Sequence, residues 1–275
     1  MDYSPKKIND VINNNNFIIK KKFGQNFISD YNTIHNIVDK SNIEEDSLVI
    51  EIGPGIGSLT SYLSKKAKWV LCYEIDKDVE KILRENIDDN VEVIFQDFLK
   101  SNVKEDISKY NYNKLYVIAN LPYYITTPII LKIIEDRIDV DKIVVMVQKE
   151  VGNRIGAKPN SRDYGSLSVY INYYYDVQKL LDVSRNIFIP VPNVDSIVIE
   201  MKKKENRLKV KDEELFFRLV RDSFKYKRKN LRNNLKSYNL DIINSVLKKY
   251  NFDLSVRAEQ LSIDLFVDLA NNLSE

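Results

Sequence analysis

Residues 118–123 read Ile-Ala-Asn-Leu-Pro-Tyr and carry the side chains best suited to chemistry in this chain. They end an apolar run, Leu115–Ile118, that reads as a buried strand. Asn120 closes the run, Pro122 fixes the backbone just beyond it, and Tyr123 supplies a flat ring. A planar amine can sit here, with the Asn120 amide oxygen and the Leu121 peptide oxygen as acceptors and an aromatic face for stacking. An amine whose lone pair is delocalised into a ring is a poor nucleophile. Two acceptors on its hydrogens would draw the nitrogen toward tetrahedral geometry and aim its lone pair at an electrophile.

A second constellation can hold the electrophile's carrier. Glu51-Ile52-Gly53-Pro54-Gly55-Ile56-Gly57 closes one apolar run and opens a helix. Glycines let the chain turn sharply and let a ligand approach the backbone, and the helix start offers free amides. Glu74 ends the next apolar run, where a carboxylate can accept from two ribose hydroxyls. Asp97 ends the third and is placed to accept from an adenine amine, with Phe98 beside it to line that pocket. Asp97 also reads as a helix cap, and the glycine turn alone also reads as a turn with no ligand. A nicotinamide dinucleotide suits the turn less well: Ser58 stands where its fingerprint places the last Gly, and Pro54 lacks an amide for a pyrophosphate. Acidic residues and Asn120 at the ends of successive strands favour S-adenosylmethionine.

These residues need a frame of short apolar strands alternating with helices. Strands are expected at 48–52, 69–74, 91–96, 115–120 and 143–148, with helices at 59–66, 76–86 and about 127–135 between them. An earlier helix, capped by Ser29 or Asp30, carries Ile34, Ile37 and Val38 on one face. That alternation implies an α/β fold with a doubly wound, mostly parallel sheet. Residues 166–177 and 194–201 read as two more strands, an antiparallel pair at one edge. Seven strands with a late hairpin suit the class I methyltransferase sheet, a Rossmann-like architecture. Beyond Lys202–Asn206 the pattern turns helical, at 212–224, 228–237, 240–250 and 260–273. The expected division is a catalytic domain over 1–206, with 1–19 a loosely ordered N-terminal extension, and a small all-α domain over 207–275.

Composition bounds the rest. The chain has 275 residues, 44% apolar and 30% charged, so it can bury a core. Its net charge of +2 does not announce a nucleic-acid protein, but the distribution is uneven. Residues 225–236 hold Lys225, Lys227, Arg228, Lys229, Arg232 and Lys236 with no acid, and Tyr226 among them. Lys20, Lys21 and Lys22 form a second cluster and Lys202–Lys204 a third, the last read as a solvated face. The lone Cys72 excludes an intrachain disulfide and a cysteine metal cluster, and a reducing cytoplasm is expected. The Asn-rich start has no long apolar core, so neither a secretory signal nor a membrane span is expected. The one histidine, His35, reads as structural.

In order along the chain, several motifs resemble the rRNA adenine N6,N6-dimethyltransferase family, and within it the bacterial small-subunit type. They are Phe-Gly-Gln-Asn-Phe (23–27), the glycine turn (51–57), Tyr-Glu-Ile-Asp (73–76), Gln-Asp-Phe (96–98) and Asn-Leu-Pro-Tyr-Tyr-Ile-Thr-Thr-Pro (120–128). Gln-Lys-Glu-Val-Gly-Asn-Arg (148–154), residues 159–169 and Phe-Ile-Pro-Val-Pro-Asn-Val-Asp-Ser (188–196) follow. The resemblance implies that Asn26, Ile28, Gly53, Gly55, Glu74, Ile75, Asp97, Phe98 and Asn120 border S-adenosylmethionine. It implies that Asn120 and Leu121 grip the target amine, that Pro122 shapes the loop, and that Tyr123 and Phe188 contact the target base. The implied substrate is two adjacent adenosines near the 3′ end of small-subunit rRNA, each dimethylated during ribosome assembly. No metal is expected, and a monomer is expected independently of the resemblance. RNA contacts are expected from Lys20, Lys21, Lys22, Arg154, Lys225, Lys227, Arg228, Lys229 and Arg232. One departure is Asn193, where the family usually has Lys. Two other functions stay in view: a large-subunit adenine methyltransferase of the macrolide-resistance type, and a ribosome-assembly factor that binds RNA without catalysis.

Overall fold

The computed structural model describes residues 5–15 and 17–274, apart from the side chains of Pro5, Lys7 and Lys21. Its strands are β1 (Phe27–Ile28), β2 (Ser47–Ile52), β3 (Trp69–Tyr73), β4 (Val91–Ile94), β5 (Lys114–Asn120), β6 (Lys142–Gln148), β7 (Tyr175–Val183), β8 (Phe188–Ile189) and β9 (Ser196–Lys203). Seven of them form one sheet in the order β4-β3-β2-β5-β6-β9-β7, and β1 pairs antiparallel with β8 in a small separate ladder. β2 runs parallel to both β3 and β5, and β6 runs parallel to β5 and antiparallel to β9. Every residue of β2 is buried, as helices on both faces of a parallel sheet require. Leu48, Val49, Ile50 and Ile52 meet that demand with apolar side chains.

The chain winds outward from β2 to β3 and β4, then returns to lay β5 on the other side of β2. Connections leaving β2 and β5 therefore diverge, and a crevice opens beyond their carboxyl ends. Pairing of Ile52 with Tyr73 brings the ends of β2 and β3 level at its edge.

Packing divides the chain into two compact units, Met1–Gly152 with Gln178–Lys202, and Asn153–Val177 with Lys203–Glu275. The second unit thus takes in residues 153–177, which the expected boundary near 206 left with the catalytic domain. The reason lies in 166–177, which forms a helix, Ser166–Tyr174, where a strand was expected. Seven of its nine residues are buried, and a fully buried run of β-branched and aromatic residues carries no period to separate helix from strand. The edge strand, β7, comes after it and has a more polar, partly exposed sequence. In the second unit Phe216, Leu219, Leu247, Leu265 and Phe266 are fully buried. Asp212, Asn239 and Ser262 cap its three longest C-terminal helices through backbone amides.

Other elements are shorter than expected. The 76–86 segment is a 3-10 turn, Lys77–Val79, leading into Glu80–Arg84, and 228–237 yields only Leu231–Asn234. Within the N-terminal extension, Pro5–Asn14 is helical and Ile8 is buried. No described helix is long and apolar enough to cross a membrane.

Candidate active site

The cleft beyond β2, β3 and β5 opens to solvent and spans about 1110 Å³ of space, solvent included. Asn26, Ile28, Gly53, Gly55, Glu74, Ile75, Asp97, Phe98, Asn120, Leu121, Pro122 and Tyr123 all line it, so the sequence motifs converge on one place.

On one side the glycine turn and the carboxylates form a cradle. Gly53, Gly55 and Gly57 take positive φ. At Gly55 (φ +56°) a Cβ would also lie 2.8 Å from the Phe27 ring, so backbone conformation and close packing both demand glycine. The Gly55 amide donates to Glu74 Oε2 at 3.0 Å and the Asp76 amide to Glu74 Oε1 at 2.8 Å. Burial pushes the Glu74 carboxyl up, and the amides of Asp76, Gly55 and Ile75 pull it part of the way back. Each oxygen keeps a lone pair for a ligand hydroxyl. Asp97 caps the turn Phe98–Lys100 through the Leu99 amide at 3.0 Å using Oδ1. The cap reading and the binding reading are thus compatible, since Oδ2 has no protein donor among the described residues. Ser58 Oγ is buried on the cleft wall with no hydrogen-bond partner among the described residues, which suits a site that receives a polar ligand.

On the other side stands Asn120, the last residue of β5. Its Nδ2 donates to the Asn26 carbonyl at 3.0 Å. A carbonyl can only accept, so the amide nitrogen must be the atom that faces Asn26. Oδ1, with no protein donor among the described residues, is left as the acceptor. Tyr123 is half-buried, and its hydroxyl lies 2.6 Å from Ser196 Oγ at the start of β9. That bond ties the ring to the sheet. Thr126 Oγ1 donates to the Pro122 carbonyl at 3.1 Å and braces the loop where it enters the helix Thr126–Glu135.

Two expected contacts are placed differently. Phe188 is 1% exposed, sits in β8 opposite Ile28, and is not part of the cleft wall. Its ring belongs to the buried hydrophobic core, together with Phe27, Ile28 and Ile34. Lys20 does not present a free charge: its Nζ donates to Asp76 Oδ1 at 2.6 Å and Asp78 Oδ2 at 2.5 Å. Lys22 is exposed and lies over the Phe23 ring at 4.8 Å, while the Lys21 side chain lies outside the described residues. Sequence reasoning missed Gln25, Glu51 and Tyr124 on the cleft wall. Gln25 was legible only as part of a motif, and Glu51 hid in an apolar strand. Burial pushes the Glu51 carboxyl up to about 8, helped by the Glu74 charge, and the Cys72 thiol donates to it at 3.7 Å.

In the second unit Arg154, Lys225, Lys227, Arg228, Lys229 and Arg232 are all exposed. None of the first five has a carboxylate partner among the described residues, while the Arg232 charge acts on the Asp253 carboxyl and helps to lower it. Lys227 Nζ donates to the Arg162 carbonyl at 2.6 Å, which brings the loop holding Lys158 and Arg162 beside the basic turn. The turn is shaped from within by Asn234, whose Nδ2 donates to the carbonyls of Ser223 and Tyr226. At the departure from the family pattern, the Asn193 carbonyl accepts from Arg185 Nη1 at 3.0 Å. His35 is half-exposed and pairs with Asp39 on its own helix.

A crevice of this shape recurs in many enzymes, so the family decides. A model of the ribosomal RNA adenine dimethylase family matches residues 16–275. The chain belongs to that family. Ribosomal RNA small subunit methyltransferase A of Bacillus mycoides is 44% identical over 282 residues, covering 98% of this chain and 96% of the relative. The protein of the same name from Bacillus cereus matches to the same extent. Among solved structures, a dimethyladenosine transferase from Plasmodium falciparum superposes with a TM-score of 0.72 at 25% identity, over 88% of this chain and 95% of that one. A 23S rRNA methyltransferase shares the fold, with a TM-score of 0.68 at 24% identity, over 91% of this chain and 100% of that one. The family member described here is an rRNA adenine dimethyltransferase with a class I methyltransferase fold. Its cradle fits S-adenosylmethionine, the cofactor such enzymes use: glycine backbone, a buried carboxylate and an orphan hydroxyl meet a nucleoside with a charged amino-acid end.

Proposed function

We propose that this enzyme dimethylates N6 of two adjacent adenosines near the 3′ end of small-subunit rRNA, on immature small subunits in the cytoplasm. The name shared by relatives 44% identical over nearly the whole chain supports the small-subunit substrate over a large-subunit one. One observation carries the chemistry: the Asn26 carbonyl holds Asn120 Nδ2, which leaves the Asn120 oxygen as the acceptor.

Bound at Gly53, Gly55, Glu74, Ile75, Asp97 and Phe98, S-adenosylmethionine supplies a methyl group already activated by a sulfonium. Glu74 accepts from the ribose hydroxyls and Asp97 from the adenine amine. The target adenine leaves its stack and lies on the Tyr123 ring, a contact worth roughly 1–3 kcal/mol. Asn120 Oδ1 and the Leu121 carbonyl accept the two N6 hydrogens, pyramidalise the nitrogen and aim its lone pair across the cleft. The methylated aminium is acidic and gives its proton to water, so no strong base is needed. In the second round one N–H remains for Asn120. The exposed cations of the second unit contact phosphate, reading folded RNA by shape.

Purified protein, S-adenosylmethionine and unmethylated small subunits test this by mass-spectrometric mapping. The expected product is two adjacent N6,N6-dimethyladenosines near the 3′ end. Methylation confined to large-subunit rRNA, or none, would overturn it.

A further inference from the structure

Residues 23–28 form part of the cleft wall, and this strap is fastened by a partly buried polar cluster at Lys20 and Gln25. Asp76 is 2% exposed. Its Oδ1 accepts from Lys20 Nζ at 2.6 Å and its Oδ2 from Gln25 Nε2 at 2.7 Å. Gln25 Oε1 in turn accepts from the Lys20 amide at 2.7 Å, closing a ring of three residues. The same Lys20 ammonium also reaches Asp78. An exposed lysine–carboxylate pair contributes little, but here one partner is buried and a neutral amide completes its shell. Burial pushes the Asp76 carboxyl up, yet the bonds from Lys20, Gln25 and the Asp78 amide outweigh it and leave a net downward shift.

The cluster touches both halves of the site. Asp76 donates its amide to Glu74, the ribose carboxylate. Gln25 precedes Asn26, whose carbonyl fixes the Asn120 amide, and Phe27 then covers Gly55. We infer that Lys20, Gln25 and Asp76 form a latch that positions the strap, and through Asn26 orients the Asn120 amide for transfer. Lys20 is then a positioning residue and not an RNA contact. With its ammonium held by two carboxylates, it has little charge left to offer a phosphate.

This rests on the methyltransferase reading above, and the test separates the two. Lys20→Met, Lys20→Arg and Gln25→Leu are compared with the unaltered enzyme in three measurements. These are kcat on unmethylated small subunits, S-adenosylhomocysteine Kd by calorimetry, and rRNA Kd across a salt series. Lys20→Met and Gln25→Leu should each lower kcat by up to about 10²-fold, as misplacement of a reacting group does. Both should weaken S-adenosylhomocysteine binding, leave rRNA Kd and its salt slope unchanged, and cost no more together than singly. Lys20→Arg should recover most of the rate. Weaker rRNA binding by Lys20→Met with a salt slope smaller by about one, and a normal rate for Gln25→Leu, would overturn the latch. So would wild-type rates in both variants. If the unaltered enzyme itself left small subunits unmethylated, the functional reading would fall, while S-adenosylhomocysteine affinity would still report on the latch.

Discussion

In the cleft, polar groups are already bound before any ligand arrives. Glu74 holds two backbone amides, Asn120 is fixed by Asn26, and Tyr123 by Ser196. In the basic turn, Lys225, Arg228 and Lys229 stand in solvent without a carboxylate partner among the described residues. The first arrangement loses little by ordering when a ligand binds, and it acts at short range where water is excluded. The second must order long side chains on contact, but it can reach a broad, irregular phosphate surface and release counterions. On the proposed function, chemistry is concentrated in a few irreplaceable atoms, whereas RNA recognition is spread over many replaceable ones.

The sharpest break in that contrast would come from Asn120. Asn120→Ala should lower the single-turnover rate by about 10²–10³, as loss of one preorganised polar group does. Glu74→Ala should come next, weakening S-adenosylhomocysteine by about 100-fold in calorimetry, because it removes charge-assisted bonds. If either change had only a mild effect, the cleft would be as forgiving as the turn.

Glu51 gives an effect of intermediate size. Its folded-state value of about 8 lies above the ordinary ~4.3 of the unfolded chain. Between those values the folded protein keeps a proton that the unfolded chain has lost. Its stabilising contribution is therefore complete below about pH 4 and is lost as pH rises toward 8, by at most about 1.4 kcal/mol per pH unit. Denaturant melts of Glu51→Gln should show a flatter decline over this window than the unaltered protein. An unchanged slope would remove Glu51 from the account.

The smallest effects belong to the turn. Lys225→Ala, Lys229→Ala or Arg232→Ala should each weaken rRNA binding a few-fold at moderate salt and reduce the salt slope by about one. Methyl transfer at saturating RNA should not change. A single substitution there that abolished binding would show a hot spot and undo the idea of dispersed recognition.

Much of the cleft was legible because strand-end motifs act locally: Gly53–Gly57, Glu74, Asp97 and Asn120 each close a readable apolar run. What sequence hid was the set of partners. Lys20 and Asp76 meet across 56 residues, and nothing in a run of three lysines marks one of them as spoken for. Phe188 is buried in the core, a placement that its flanking prolines do not encode. The helix Ser166–Tyr174 was misread because burial on all sides erases periodicity.

A crystal structure of the enzyme with S-adenosylhomocysteine and an RNA bearing the target adenosine would test the central claim most directly. N6 should lie about 2.7–3.2 Å from Asn120 Oδ1, with Nδ2 still donating to the Asn26 carbonyl. An Asn120 amide released from Asn26 and turned away from the purine would contradict it.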